Sequence, residues 1–160
     1  MRKYIPHILI ISFVFLLAPT AHVATYAGEY DLIEDAKEEV RKNPDDADAH
    51  SNLGLAYFFS GKYEEAIESY KQALRLDPDD AKAHYDLGSA YSANRKNKHA
   101  IRQYNRAIKI KPDYADAHFG LGMAYLGIND RGAARRQYFI LLTLDTELAD
   151  KLFGWLVDEP

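Results

Sequence analysis

The chain has 160 residues, a formal charge of −4, 28% charged and 48% apolar side chains, and no cysteine. That length allows one domain with an appended segment rather than two full cores, and the composition excludes disorder throughout as well as collagen-like and mucin-like classes. The missing cysteine removes disulfides, thiol nucleophiles and thiolate metal sites, and the mild acidity speaks against a general nucleic-acid binder.

Residues 1–27 differ from the rest. Arg2 and Lys3 give a basic start, Ile8–Ala18 is apolar apart from Ser12, and Ala18–Ala27 is small and mildly polar, the three-part layout of a secretory signal. The apolar run of 11 residues makes about 16 Å of helix, whereas a spanning helix needs about 20 residues. Cleavage after Ala27 places Thr25 and Ala27 where small side chains are wanted; the alternative is an uncleaved inner-membrane anchor running through Val23. In either case the folded part is expected to be exported, to the periplasm or beyond it.

In residues 28–46, Leu32, Ala36 and Val40 lie at intervals of four ahead of Asn43-Pro44-Asp45-Asp46, which predicts a single capping helix. Three copies of a 34-residue unit follow, at 47–80, 81–114 and 115–148; the first two share 14 of 34 positions, enough to make them one unit repeated. The recurring residues are His50/His84/His118, Leu53/Leu87/Leu121, Gly54/Gly88/Gly122, Tyr57/Tyr91/Tyr125, Ala66/Ala100/Ala134 and Tyr70/Tyr104/Tyr138. In the first copy Ala49, Leu53, Ala56 and Tyr57, and then Ala66, Ile67, Tyr70, Ala73 and Leu74, fall at helical spacing, split by Gly61-Lys62 and closed by Asp77-Pro78-Asp79-Asp80. Each copy therefore predicts two antiparallel helices. A glycine recurring inside a helix, where it costs about 1 kcal/mol relative to alanine, implies a close approach at that register. A second capping helix is expected over 149–160, since Glu147–Val157 carries Leu148, Leu152, Trp155 and Leu156 on one face, with Trp155 buried in the place of the recurring leucine.

These residues resemble the tetratricopeptide repeat family, whose 34-residue pattern runs aromatic, Leu-Gly, Tyr, Ala, aromatic, Pro. His stands for Trp at the fourth position of every copy, and Leu141 and Thr146 replace the second Ala and the closing Pro of the third copy. The resemblance implies an all-α solenoid of stacked helix hairpins in a right-handed superhelix, with a ligand groove lined by the first helix of each hairpin. Carried over by position, the groove takes Ser51, Leu55, Phe58 and Phe59 from the first copy. The second copy gives Lys82, Tyr85 and Ser89, and the third Tyr114, Phe119 and Met123. Family members that clamp a C-terminal carboxylate use Lys and Asn where this chain has Ser51 and Leu55, so that mode is disfavoured. A blander reading has Phe58, Phe59 and Phe119 merely thickening the core.

Charge is unevenly spread. Residues 28–80 balance to −9, residues 81–144 to +7 and residues 145–160 to −4. Lys98, Arg102, Arg106 and Lys109 share the outer face of the second hairpin, with Arg135 and Arg136 one repeat on. This stripe is either a solvated surface or a dock for an acidic partner, anionic lipid or the acidic half of a second copy. The three periodic histidines are too far apart to bind one metal, since equivalent positions in stacked hairpins are about 10 Å or more apart. No nucleophile triad, phosphate loop, His-Glu-x-x-His or Cys-x-x-Cys pattern occurs, so neither catalysis nor a cofactor is expected. The sequence points to an exported scaffold that binds a protein or peptide in its concave groove, with no nucleic-acid partner. The competing expectation is a membrane-tethered assembly factor, or a self-associating structural protein using the basic convex face or the C-terminal helix.

Overall fold

Aspartates at the start and turn residues between punctuate a run of helices. A computed structural model describes residues 32–157; the expected export segment, 1–27, lies outside them. The helices are α1 (residues 32–42), α2 (Ala47–Phe59), α3 (Tyr63–Leu76), α4 (Ala81–Ala93), α5 (Asn97–Ile110), α6 (Ala115–Leu126), α7 (Arg131–Leu144) and α8 (Thr146–Val157). No strand occurs among the described residues. Asp46, Asp80 and Asp130 each accept a backbone N–H of the helix they precede, which satisfies donors that a helix start leaves open. Within each hairpin the chain reverses through one left-handed residue at the same register, Gly61, Arg95 and Asn129, with φ of 72°, 58° and 61°.

Hairpins α2/α3, α4/α5 and α6/α7 stack in order, and α8 packs on α7 and α6. The first helices also approach one another, α2 to α4, α4 to α6 and α6 to α8, whereas α3, α5 and α7 do not touch one another. A row in contact on one side and a row held apart on the other make a curved stack, with α2, α4 and α6 lining the concave face. The outer row is left with clefts between α3 and α5, of ≈ 630 Å³ and ≈ 460 Å³.

The core explains the recurring glycines. A methyl at Gly54 would stand 2.8 Å from the Tyr70 ring, and one at Gly88 2.8 Å from Tyr104, so each glycine seats the tyrosine of its own hairpin. Tyr104 is held from both sides, because a methyl at Gly120 would also meet its ring at 2.7 Å. In the third repeat Gly122 seats Leu152 of α8 instead, and Tyr138 turns to the rings of Phe139 and Phe153 at 5.3 and 5.4 Å.

Two expectations at the ends are corrected. In α1 the buried residues are Ile33 and Ala36, with Val40 half-buried, while Leu32 is exposed: the apolar stripe follows helical steps of three and four rather than four and four. Trp155 is 60% exposed, not buried. The four-residue linkers 77–80 and 111–114 shrink here to Asp145 alone, which ends α7 and accepts Leu148 N–H at the start of α8. Losing three residues advances the repeat phase by three, so Leu152 takes the leucine position and is fully buried with Leu141 and Ala149. The C-terminal cap thus starts at Thr146 rather than at 149.

Candidate functional site

The inner face is built from positions on α2, α4 and α6 that point away from the outer row. On α2, Phe59 is 74% exposed and Leu55 is also exposed. Phe58 is half-buried against the first core cluster, its ring 5.8 Å from Phe59 and 5.6 Å from Tyr63. Ser51 is half-buried, and its hydroxyl oxygen has no hydrogen-bond partner among the described residues.

The centre of the face is polar and aromatic. The Tyr85 ring lies 5.2 Å from Tyr114 and 5.8 Å from Tyr104. Ser89 donates to the Tyr85 carbonyl at 3.1 Å and lies 3.3 Å from the Tyr104 hydroxyl. Exposed Lys82 reaches forward one helical turn to Asp86 at 2.6 Å. Burial pushes the Tyr85 phenol up and the Tyr104 and Tyr114 phenols to about 12, the last helped by Asp86, Tyr85, Asp116 and Asp80. At the third repeat, Phe119 and Met123 pack half-buried against the cluster under α8.

Of the residues assigned by position, Lys82, Tyr85, Ser89 and Tyr114 are therefore brought together, Leu55 and Phe59 are left open to solvent, and Phe58, Phe119 and Met123 belong partly to the core. Sequence reasoning missed Asp86. It holds the register of Asn52 and Gly120 in the neighbouring repeats, so its signal was a lone charge at a position otherwise uncharged. Its side chain is only 14% exposed, and burial raises its pKa above the ordinary carboxylate value in spite of Lys82.

On the outer face Lys98, Arg102, Arg106, Lys109, Arg135 and Arg136 are all exposed, and among the described residues none of them is in an ion pair. Arg106 and Lys109 line the larger cleft with His84 and Gln103. Arg135 instead borders a small apolar crevice of ≈ 170 Å³ with Phe139, Phe153 and Val157. The histidines tie each repeat to the proline turn that closes the unit before it. Nε2 of His50, His84 and His118 lies 2.9, 3.1 and 3.0 Å from the carbonyls of Pro44, Pro78 and Pro112, and donates, since a carbonyl only accepts. Nδ1 of His84 and His118 meets Gln103 and Gln137. Among the described residues no group of three or more His, Asp or Glu side chains is placed to hold a metal ion, and no helix is long and apolar enough to cross a membrane.

Comparison with known proteins agrees with this architecture. A TPR repeat model matches residues 56–94 and 96–128, and a tetratricopeptide repeat model matches residues 36–68. No curated protein matches the sequence. Among solved structures, MamA superposes with a TM-score of 0.71 at 25% identity, covering 84% of this chain and 90% of that one. A second MamA structure gives 0.69 at 30% identity, covering 76% of this chain and 67% of the other. The first TPR of Spaghetti (RPAP3), bound to the HSP90 peptide SRMEEVD, gives 0.63 at 26% identity over 70% of this chain and 94% of that one. With three stacked hairpins, the recurring Leu-Gly, Tyr and Ala seats, and these matches along its length, the chain belongs to the tetratricopeptide repeat family.

Proposed function

We propose that the protein is an exported docking scaffold, without catalytic activity of its own, that holds an extended segment of a protein partner in its concave groove. The observation that carries this reading is the open apolar surface of the inner face, where Phe59, 74% exposed, and Leu55 lie one turn apart on α2. Exposed apolar side chains grouped in a concavity are the usual mark of a binding surface. The Spaghetti domain, similar in fold, is bound to a peptide. Export rests on the layout of residues 1–27. The mass of the mature protein tests it: loss of residues 1–27 supports a cleaved signal, and the intact mass supports an anchor.

The groove is tested by affinity capture from the exported compartment. Phe58 and Phe119 are poor sites for the test because they also support the core. Phe59→Ser and Leu55→Ser leave the packing intact, and together they should release the captured partner. Truncating an anchor of this kind costs about 2 kcal/mol or more of binding. The unpaired outer stripe favours a second reading, docking of an acidic partner on the convex face. Retained capture by Phe59→Ser/Leu55→Ser, with loss on reversing the charges of Arg102 and Arg106, would replace the groove by that face.

A further inference from the structure

The middle of the groove is charged in a way that selects a ligand class. Among the described residues Asp86 has one hydrogen-bonding partner, Lys82 at 2.6 Å, and that ammonium sits on a side chain whose own exposure is 68%. A carboxylate offers about four lone-pair sites, so one mobile lysine leaves most of its capacity unused. The Tyr85 and Tyr114 rings pack on each other, 5.2 Å apart and tilted by 38°, and the charge of Asp86 acts on both phenols. Asp80 and Asp116 add negative charge, since both act on the Tyr114 phenol. An aromatic face attracts a cation within about 6 Å of its centroid. The Tyr114 ring already shows this, with Lys111 Nζ 5.0 Å from its centre. Around the notch Asp80, Asp86 and Asp116 outnumber Lys82 and Lys111, opposite in balance to the basic outer stripe.

We infer that the notch formed by Asp86, Tyr85 and Tyr114 between α4 and α6 takes a lysine or arginine side chain of the bound segment. The proposal rests on the groove reading above and gives it a chemistry. The Asp86 carboxylate supplies the counter-charge, the two rings, packed against each other, form one aromatic side of the notch, and apolar neighbours of the basic residue lie over Leu55 and, farther along α2, Phe59. Lys82 swings into solvent on its four-carbon stem as the incoming cation takes its place. The ligand is thus opposite in charge to the glutamate-rich SRMEEVD peptide bound by the Spaghetti domain.

A display library of random dodecapeptides, selected on the full chain, tests this without knowing the natural partner. Selected peptides should carry one fixed lysine or arginine beside apolar residues. Replacing that residue by glutamate should weaken binding at least tenfold, and Asp86→Asn should remove most of the preference while its melting curve shows a folded protein. Selected peptides that tolerate glutamate at every position, or bind Asp86→Asn with unchanged charge preference, overturn the inference and leave the groove reading standing. Selected peptides that ignore Phe59→Ser and Leu55→Ser overturn the groove reading, and this inference with it.

Discussion

At the scale of single residues, Asp86 folds against its own charge. Burial is the largest influence on it and raises its pKa; Lys82 lowers it only in part, Asp80 adds to the rise, and Tyr70, Tyr85, Tyr104 and Tyr114 surround it from α3, α4, α5 and the start of α6. A folded-state pKa above the unfolded value means that the native state binds the proton more tightly, so this group opposes folding wherever it is ionised. Asp86→Asn should therefore raise the melting temperature at neutral pH. The gain should shrink as pH falls through the window between the raised value and the ordinary carboxylate value, and vanish below it. Melting curves of both proteins across that range check the sign. A carboxylate that opposes stability at a position where the other repeats use Asn52 and Gly120 fits a role in recognition. Arg95 bears a different strain, since it holds the left-handed conformation that Gly61 adopts freely. A side chain pays about 1–2 kcal/mol there, offset in part by the greater freedom of an unfolded glycine. Arg95→Gly should stabilise the fold by roughly 0.5–1 kcal/mol, seen as a higher denaturant midpoint at unchanged slope.

Among the helices, two glycines with the same local geometry should respond oppositely. Gly88→Ala sets a methyl against the Tyr104 ring, which cannot retreat because Gly120 closes its other side. The clash should outweigh the better helix propensity and destabilise by about 1–3 kcal/mol. Gly154 has nothing within 4 Å of its would-be methyl, so Gly154→Ala in α8 should stabilise by up to about 1 kcal/mol. Thermal melts of the two variants decide it. The same helices show what was legible beforehand. Periodic Ala, Leu and Tyr with Pro-Asp punctuation fixed the hairpins, because both signals are local and repeat in register. Trp155 was misplaced because a fixed period hides a shortened linker: Thr146 in place of proline marked the end of the pattern, but the absence of three residues is legible only once α7 and α8 are seen to share Asp145. The lone tryptophan should accordingly emit near the wavelength of water-exposed indole in the native protein and shift little on denaturation.

For the molecule as a whole, the sequence disclosed the stack and its uneven charge. It did not disclose which inner-face residues are free, since that depends on neighbours from other repeats. Phe119 and Met123 looked equivalent in kind to Phe59, yet α8 draws them half-way into a core while Phe59 stays open. Asp86 drew no notice in the sequence, because its burial comes from other elements, with Tyr70, Tyr104 and Tyr114 feeling its charge from α3, α5 and the start of α6. The contrast between the two rows of helices has a mechanical side. With α2, α4, α6 and α8 touching and α3, α5 and α7 apart, the stack behaves as a beam whose stiff layer lies on the inner side and whose outer layer is open to compression. Straightening narrows the outer clefts with few side chains in the way, and tighter coiling opens them, so bending is the soft mode. A peptide held as proposed, bridging Phe59 and Tyr114, would tie successive segments of the stiff layer together. Small-angle scattering should then show a narrower spread of end-to-end lengths for the loaded protein, and a slightly shorter mean, the response of a spring that has been clamped along its inner coil.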